Sequence, residues 1–299
     1  MVFSQVDLHL WTQIGLYKLQ DKHRVSLDRL RQAVLQPPIT LGVMPCYQAL
    51  RPRFYLHWVE QTDSTNRALA EMMAAGAPAG TVLVATTQQA GRGQWGRQWQ
   101  SPAGGLYLSL GLKPDLPVSR SPYLTLASAW GVATSLANLE LPVQVKWPND
   151  LVAGGKKLGG VLAETHLEGG RVQTVVIGLG LNGFNPVPAT GTSIQQLIQP
   201  ELASGPLNTL EDLAAIALYG LMQGYLHWQN QGDDAFLIDY QARLANLGQG
   251  LTVDGRPAEV VGVAPSGNLR VQLIPNSSDI PAVKTLELEP GKVTLGYNA

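Results

Sequence analysis

A glycine-rich segment between two apolar runs is the feature that most constrains how this chain can fold. Residues 81–87, TVLVATT, form a β-branched run typical of a buried strand, and residues 106–112, LYLSLGL, read as the next strand. The segment between them, QQAGRGQWGRQWQSPAGG, carries five glycines and one proline and few residues that favour regular structure. It is therefore predicted to be a loop whose glycine amides can approach a ligand closely.

Residues 91–96 of this loop, GRGQWG, match the G-x-G-x-x-G pattern of dinucleotide-binding folds. That pattern requires a helix that begins at the third glycine and meets the pyrophosphate, and an acidic residue about 20 positions later for the ribose. Here the residues after Gly96 contain Ser-Pro and Gly-Gly and then enter a strand, while Asp115 follows Pro114 in a turn. The dinucleotide-binding interpretation is therefore rejected.

The rest of the chain predicts an α+β protein in three parts, with boundaries at 1–51, 52–247 and 248–299. The first part holds a short helix over 26–35 with Ser26 as its N-cap, and it is otherwise an extension of uncertain role. The second part alternates strands and helices. After residue 248 only short β segments joined by Gly, Pro and Asn turns remain, which suits a small barrel of the SH3 size.

Local signals place the elements of the second part. Strands are predicted at 54–60, 81–87, 106–112 and 143–147 and in a hairpin of 157–167 with 171–182; helices are predicted at 62–76, 121–139, 209–228 and 233–248. Ser121 should cap the second of these helices, with Pro122 at its first position. In the last helix, Leu237, Tyr240, Leu244 and Leu247 should form an apolar stripe that ends at Gly248. The C-terminal β segments include KVTLGY, residues 292–297.

Charge and cysteine content narrow the class of protein. The 21 Lys and Arg residues face 22 Asp and Glu residues, so a nucleic-acid footprint over the whole molecule is excluded. The single cysteine, Cys46, can form no internal disulfide and is expected to be a small buried hydrophobe in a reducing compartment. No run reaches 18 apolar residues and no signal peptide opens the chain, so we expect a soluble cytoplasmic protein.

The loop and the segments after it carry groups suited to an anionic ligand. Arg92 and Arg97 lie among glycines, and arginine donates two parallel hydrogen bonds to a carboxylate or phosphate. Trp95 and Trp99 argue against the alternative of a merely solvated loop, because they could stack on a base or seal the site. Between residues 88 and 160, seven cations face three anions.

Two further clusters could face the same ligand. The segment KWPND, residues 146–150, is followed by GGKKLGG, residues 154–160, which together offer lysines for phosphate and an Asn-Asp pair for a metal or ribose. Taken alone, an Asn-Asp pair such as Asn149-Asp150 is more often only a β-turn. Asn182 follows a buried run and could present its amide to the same cavity.

Taken together, these motifs resemble those of the biotin protein ligases, in the class that lacks a DNA-binding N-terminal domain. The matching segments stand in family order: DSTN at 63–66, QQAGRGxxGRxW at 88–99, KWPNDL with KKLGGVLAE at 146–164, and IGLGLN at 177–182. The resemblance implies a mixed sheet flanked by helices, like that of the class II aminoacyl-tRNA synthetases, as the catalytic biotin- and ATP-binding domain over 52–247. It also implies an SH3-like β-barrel over 248–299.

The resemblance also assigns roles to individual residues. It implies biotin-binding by Ser64, Thr65, Asn66, Gln88, Gly91, Arg92, Gly93, Gln94, Lys157 and Gly160. It implies ATP-binding by Gln94, Arg97, Trp99, Lys146, Asn149, Asp150, Lys157 and Asn182. It implies catalytic roles for Lys157, Arg92 and Arg97, and contact of Asp150 with Mg²⁺ carried by ATP.

The implied reaction joins biotin to ATP as biotinyl-5′-AMP and then transfers biotin to a lysine of another protein. The implied partner is the biotin carboxyl carrier protein of acetyl-CoA carboxylase, with no specific nucleic acid and no membrane, and the enzyme is expected to be a monomer or homodimer. Three alternatives stay open at this stage: a lipoate-protein ligase, a biotin-responsive transcriptional repressor, and a biotin-binding module without catalysis.

One departure from the family pattern concerns the loop. Many bacterial members carry GRGRRGR, whereas this chain has GRGQWGR, so Gln94 and Trp95 stand in place of two arginines. Two fewer cations near the phosphate are expected to weaken the hold on the adenylate unless Trp95 compensates by stacking.

Overall fold

The computed structural model describes residues 25–198, 207–274, 284–293 and 295–296. The first 24 residues of the predicted extension lie outside the described residues, as does part of the last predicted β segment.

A large mixed sheet forms the centre of the molecule, as the sequence predicts. Its strands are β1 (Tyr55–Thr62), β2 (Thr81–Gln88), β3 (Leu106–Leu112), β4 (Leu116–Pro117), β5 (Val143–Lys146), β6 (Asp150–Ala153), β7 (Lys156–Glu168) and β8 (Arg171–Leu181). They are ordered β1-β2-β3-β8-β7-β6-β5, with β4 paired to β8. Strands β1 and β2 are parallel and the other pairs are antiparallel.

Helices flank this sheet. They are α1 (Leu27–Ala33), α2 (Thr65–Ala74), α3 (Ser121–Asn138), α4 (Ile194–Leu197), α5 (Leu210–Gln231) and α6 (Asp233–Ala242). Helices α3 and α5 approach so closely that a Cβ at Gly131 would lie 2.1 Å from the Gly220 carbonyl oxygen. Glycine is required there because no side chain fits between the two backbones.

The C-terminal part forms a separate small sheet, which agrees with the predicted loss of helical signals after residue 248. Its strands are β9 (Gly250–Val253), β10 (Arg256–Val263), β11 (Leu269–Leu273) and β12 (Thr285–Leu288). They are antiparallel in the order β12-β11-β10-β9. The alternation of buried Ala258 and Val260 with exposed neighbours is the pattern of a sheet with one covered face.

The described part of the N-terminal extension packs on α5. Ser26 caps α1 as predicted, accepting from the Arg29 N–H at 3.4 Å. The Ser26 N–H also donates to Glu211 Oε1 at 2.6 Å, and Arg29 Nε lies 3.0 Å from the same oxygen. Leu30 and Val34 are fully buried in the main core. Residues 25–34 therefore contribute to the same hydrophobic core as the sheet.

Several local predictions are wrong for identifiable reasons. Helix α3 begins at Ser121 itself, with Arg120 as its N-cap, because a short 3-10 turn over Val118–Arg120 runs directly into it. Helix α6 ends at Ala242, since the Val145 N–H donates to Arg243 O and Val145 O accepts from the Ala245 N–H. The apolar stripe therefore fails at Leu247, which is half exposed.

Two other expectations also fail. Cys46 is exposed rather than buried, because it lies in a surface 3-10 turn over Pro45–Tyr47. The described residues of KVTLGY form no strand, since the Leu295 and Gly296 carbonyl oxygens accept from Lys146 Nζ. Strand β6 was not predicted from the sequence. It forms a hairpin with β7 through Gly154 and Gly155, both of which have left-handed backbones.

Candidate active site

A cavity of about 300 Å³ opens over β7 and β8. It lies between the glycine-rich loop and the segment that follows β12, which we call the C-terminal segment and which lines the cavity with Gly291, Val293, Leu295 and Gly296. All of the residues predicted to bind biotin or ATP line it except Gly91 and Asn182. Leu162, Gly178, Val293 and Leu295 also line it, although the sequence analysis did not single them out. The structure therefore brings the four distant motifs to one place.

At one end of the cavity, neutral hydrogen-bonding groups are fixed by one another. Because β1 and β2 are parallel and Thr62 pairs with Gln88, the start of α2 lies beside the end of β2. Gln88 Oε1 accepts from the Thr65 N–H at 2.9 Å and from Thr65 Oγ1 at 3.2 Å, and Gln88 Nε2 donates to Ser101 Oγ at 2.9 Å. We call this region the neutral end of the cavity.

Ser109 and Asn66 continue this network beneath the neutral end. Ser109 Oγ lies 2.9 Å from Thr65 Oγ1 and 2.7 Å from Asn66 Oδ1. Asn66 Nδ2 donates to Leu162 O at 3.2 Å and to Glu164 Oε2 at 2.8 Å. Both the oxygen and the nitrogen of the Asn66 amide are hydrogen-bonded within the protein. Asn66 therefore holds Ser109 and Glu164 in position.

Ser64 is the buried residue that precedes α2 and lines the cavity beside Thr65. It occupies the N-cap position with an extended backbone, yet its side chain makes no capping hydrogen bond. An N-cap serine normally accepts from a helix N–H. Ser64 makes no such bond, and the first N–H of the helix, at Thr65, donates to Gln88 Oε1, so the Ser64 hydroxyl is not committed to the helix.

The floor of the cavity is formed by glycines of β8. A Cβ at Gly178 would lie 2.1 Å from Asn66 Oδ1, and one at Gly180 would lie 2.6 Å from Trp99 Nε1. The bare backbone lets these side chains pack against the sheet and leaves space above it. Within the loop, Gly91 also allows a close backbone approach, since a Cβ there would lie 2.4 Å from Trp99 O.

The opposite end of the cavity is cationic. Lys157 Nζ lies 2.6 Å from Asp150 Oδ1 and 5.3 Å from the centre of the Trp99 ring. Lys146 is buried, and its Nζ donates to the carbonyl oxygens of Leu295 and Gly296, the latter at 2.7 Å. Asn149 Nδ2 donates to Val161 O at 2.7 Å, which fixes the turn between β5 and β6.

The charge on Lys146 is sensitive to its surroundings. Burial lowers the pKa of Lys146 to about 8; the Asp150 carboxylate opposes the shift, and Lys157 and Arg97 add to it. Because burial disfavours the charged form of this ammonium, an anion that binds beside it would stabilise that form. This end of the cavity is therefore suited to phosphate or carboxylate groups.

The glycine-rich loop forms one wall. Trp95 has a left-handed backbone (φ 60°), is 63% exposed, and its ring lies against Gly291 of the C-terminal segment. Arg92 Nη2 lies 2.9 Å from Oε1 of Glu164, the carboxylate that also accepts from Asn66 beside the neutral end. As predicted, no helix follows Gly96, and the chain continues without regular structure until β3.

A second cavity of about 180 Å³ adjoins the first and shares Trp99 and Lys157 with it. Asn182 lies here, and its Nδ2 donates to Thr192 O at 3.0 Å while its Oδ1 accepts from Asn185 Nδ2 at 3.2 Å. Asn182 therefore fastens the segment that covers this second cavity.

Two residues of the site were missed by the sequence analysis although a signal existed. Ser109 is the one serine among the apolar and aromatic residues of LYLSLGL, and a fully buried polar residue in such a strand needs a partner. Glu164 closes the motif KKLGGVLAE. The contacts of Val293 and Leu295 with the cavity had no signal, because they depend on how the two sheets meet.

The donor set at the cationic end bears on the predicted Mg²⁺. Within the described ranges, no group of three or more His, Cys, Asp or Glu side chains could hold a metal ion. Asp150 is a single carboxylate at this end, and Mg²⁺ is commonly bound by one or two carboxylates together with substrate phosphates. The site thus fits an ion that arrives with a nucleotide.

In the described part of the chain, no helix has the length and apolar character to cross a bilayer.

Comparisons with known proteins agree with this geometry. Residues 58–182 match the Biotin/lipoate A/B protein ligase family. The bifunctional ligase/repressor BirA of Bacillus spizizenii is 40% identical over 130 residues, which cover 43% of this chain and 40% of that protein. The match thus spans less than half the length of that relative.

Two further matches cover more of the chain. The biotin–acetyl-CoA-carboxylase ligase of Mycobacterium tuberculosis is 34% identical over 214 residues, 69% of this chain and 77% of that protein. The fold is similar to that of the biotin protein ligase of Aquifex aeolicus in complex with biotin and ATP, with a TM-score of 0.59 and 24% identity over 78% of this chain and 98% of that one. With this degree of identity over most of a curated ligase, the chain belongs to the biotin protein ligase family.

Proposed function

We propose that this protein is an ATP-dependent ligase that activates biotin as biotinyl-5′-AMP and transfers it to a lysine of the biotin carboxyl carrier protein of acetyl-CoA carboxylase. The observation that carries the proposal is one cavity with a neutral hydrogen-bonding end and a cationic end, joined over a glycine floor. Biotin has the matching form, a neutral ureido ring joined by an apolar chain to a carboxylate.

In this proposal, the neutral end binds the ureido ring. Ser64 and Thr65 supply hydroxyl groups, and Gln88 is held in one orientation by Thr65 and Ser101. Because these groups are already bonded to one another, they lose little side-chain entropy when the ring binds. Gly93, Gln94 and Gly160, which line the same cavity, would contact the ligand through their backbones or, for Gln94, its amide.

The first step joins the biotin carboxylate to ATP at the cationic end. A carboxylate oxygen attacks the α-phosphorus, the bond from that phosphorus to the bridging oxygen breaks, and pyrophosphate leaves. Lys157, Arg97 and Arg92 offset the negative charge that accumulates as the two anions meet. Their contribution is positioning and charge stabilisation, and no covalent bond to the protein is formed.

The nucleotide would extend from the cationic end into the second cavity. The size of this space, its Trp99 wall and the covering segment fastened by Asn182 support a place there for the adenosine. Lys146 would meet the phosphates. Asp150 would hold Mg²⁺ together with those phosphates, and the ion supplies charge neutralisation.

In the second step, the uncharged amine of an acceptor lysine attacks the acyl carbon. The bond to the AMP oxygen breaks, AMP leaves, and the amine loses a proton as the amide forms. The acceptor is a separate protein in this proposal. The relatives named as biotin–acetyl-CoA-carboxylase ligases support its identity, and a cytoplasmic location is part of the same proposal.

Lipoate is a second candidate substrate, because the matched family includes lipoate ligases. The neutral end argues for biotin. A dithiolane ring has no N–H or C=O to bond with the Ser64 hydroxyl, which the helix leaves uncommitted, and sites built to hydrogen-bond a substrate reject analogues that lack the bonding group.

The test is ATP–pyrophosphate exchange by the full chain with biotin or lipoate as the acid. Biotin-dependent exchange at least tenfold above that with lipoate is expected. Exchange that depends on lipoate, or on neither acid, would contradict the proposal.

A further inference from the structure

Glu164 joins the fixed part of the cavity to the glycine-rich loop. Its Oε2 accepts from Asn66 Nδ2 at 2.8 Å, and its Oε1 lies 2.9 Å from Arg92 Nη2. The two oxygens of one carboxylate therefore hold two different partners. Nothing in the reaction described above uses this carboxylate.

The two partners differ in how firmly they are placed. Asn66 is buried on α2, and its amide also bonds to Leu162 O and lies 2.7 Å from Ser109 Oγ. Arg92 belongs to the loop, and its side chain is half exposed. Exposed ion pairs are weak and are screened by salt. Glu164 is thus anchored on the Asn66 side and joined to Arg92 by a contact that can be exchanged.

The position of this pair along β7 is the important point. The Lys157 side chain reaches along β7 to Gly160, where a Cβ would lie 3.8 Å from Lys157 Cε, and Glu164 lies four residues further on, about 13 Å at 3.3 Å per residue. Arg92 on Glu164 is therefore held at the neutral end. To offset charge near Lys157, as the proposed reaction requires, its guanidinium must leave Glu164.

We propose that Glu164 is a positioning residue that holds Arg92, and with it the start of the loop, at the neutral end until the carboxylate of the ligand takes the guanidinium over. This inference rests on the proposed function, because the competing anion is that of biotin or its adenylate. The Glu164–Arg92 pair opposes ligand binding, since it must be broken when Arg92 moves. Removing this ion pair lowers the free energy that is needed to close the loop on the ligand.

The test is a titration of the full chain with biotin, followed by intrinsic tryptophan fluorescence, to which Trp95 and Trp99 in the loop contribute together with the other five tryptophans. Glu164→Gln keeps an acceptor for Asn66 but removes the charge that attracts Arg92. Its dissociation constant for biotin is expected to be about two- to five-fold lower than that of the wild type at low salt, the range of an exposed ion pair. The matched control is Glu168→Gln, an exposed carboxylate at the end of the same strand, which should leave the constant unchanged.

A second arm separates action through Arg92 from a structural effect on Asn66. In an Arg92→Ala chain, Glu164→Gln is expected to have no further effect on the dissociation constant. The inference is overturned if Glu164→Gln lowers the dissociation constant as much in the Arg92→Ala chain as in the wild type. It is also overturned if Glu164→Gln alone leaves the affinity for biotin unchanged or weakens it. Failure of the wild type to bind biotin would instead overturn the proposed function, and thermal unfolding of each variant verifies that it is folded.

Discussion

Replacing Lys157 by alanine should lower the rate of the first step by about 10² to 10³, the cost of removing one donor aimed at the charge of a transition state. Lys157 lies where the two cavities meet, 2.6 Å from Asp150 and over the Trp99 ring. Its side chain is only 29% exposed, so water can replace its charge poorly. A surface lysine that merely attracts ATP would be worth about 1 kcal/mol or less, a factor below about 6.

The assay is biotin-dependent release of pyrophosphate, with kcat and KM for ATP measured separately. The matched control is Lys156→Ala, which removes the neighbouring lysine of β7 that does not line either cavity. The value of kcat is expected to fall steeply for Lys157→Ala and to stay within about twofold of the wild type for Lys156→Ala. A loss below tenfold at Lys157, or equal losses for both variants, would refute this prediction.

Three other changes test separate parts of the site. Because burial lowers the pKa of Lys146 to about 8, its charge is present below that pH and lost above it, so kcat/KM for ATP should fall as pH rises through about 8. Gly178→Ala should raise KM for biotin about tenfold or more, since its Cβ would lie 2.1 Å from Asn66 Oδ1 and displace Asn66 from Ser109. Gln94→Arg should slow the dissociation of preformed biotinyl-AMP about two- to tenfold, because it adds a cation to the cavity wall.

Each of these predictions has a control in the same chain. Lys146→Arg keeps its charge at high pH, so its profile should stay flat where that of the wild type falls. Gly250→Ala adds a methyl group where nothing lies within 4 Å, and KM for biotin should not change. Gln195→Arg adds a cation on an exposed surface, and adenylate release should match the wild type. The corresponding ideas fail if a control and its variant behave alike.

The parts of the fold that follow from local chemistry could be predicted from the sequence. The β-branched run of β2, the Gly169–Gly170 turn between β7 and β8 and the Ser26 cap of α1 each depend on a few adjacent residues. The predictions of local structure were wrong where tertiary contacts determine the conformation of the backbone. Residues 243–245 leave the helical pattern because they hydrogen-bond to Val145, nearly 100 positions earlier.

The same division holds for the candidate site. The motifs identified residues that the structure brings to one cavity, since they lie at the start of α2, after β2, after β5 and along β7 and β8, and all of these border the cavity. The roles of Asn66 and Asn182 in holding their neighbours could not be predicted, because their partners Ser109, Glu164 and Asn185 are fixed only by the fold. The approach of the C-terminal segment to Lys146 had no local signal either.

The proposed ligase activity can be measured as ATP-dependent transfer of labelled biotin to a purified biotin carboxyl carrier domain. Label is expected on the acceptor lysine; it should require ATP, biotin and Lys157, and it should be absent when the acceptor lysine is replaced by arginine. Transfer that proceeds without ATP, or no transfer although the chain binds biotin and ATP, would contradict the proposed activity.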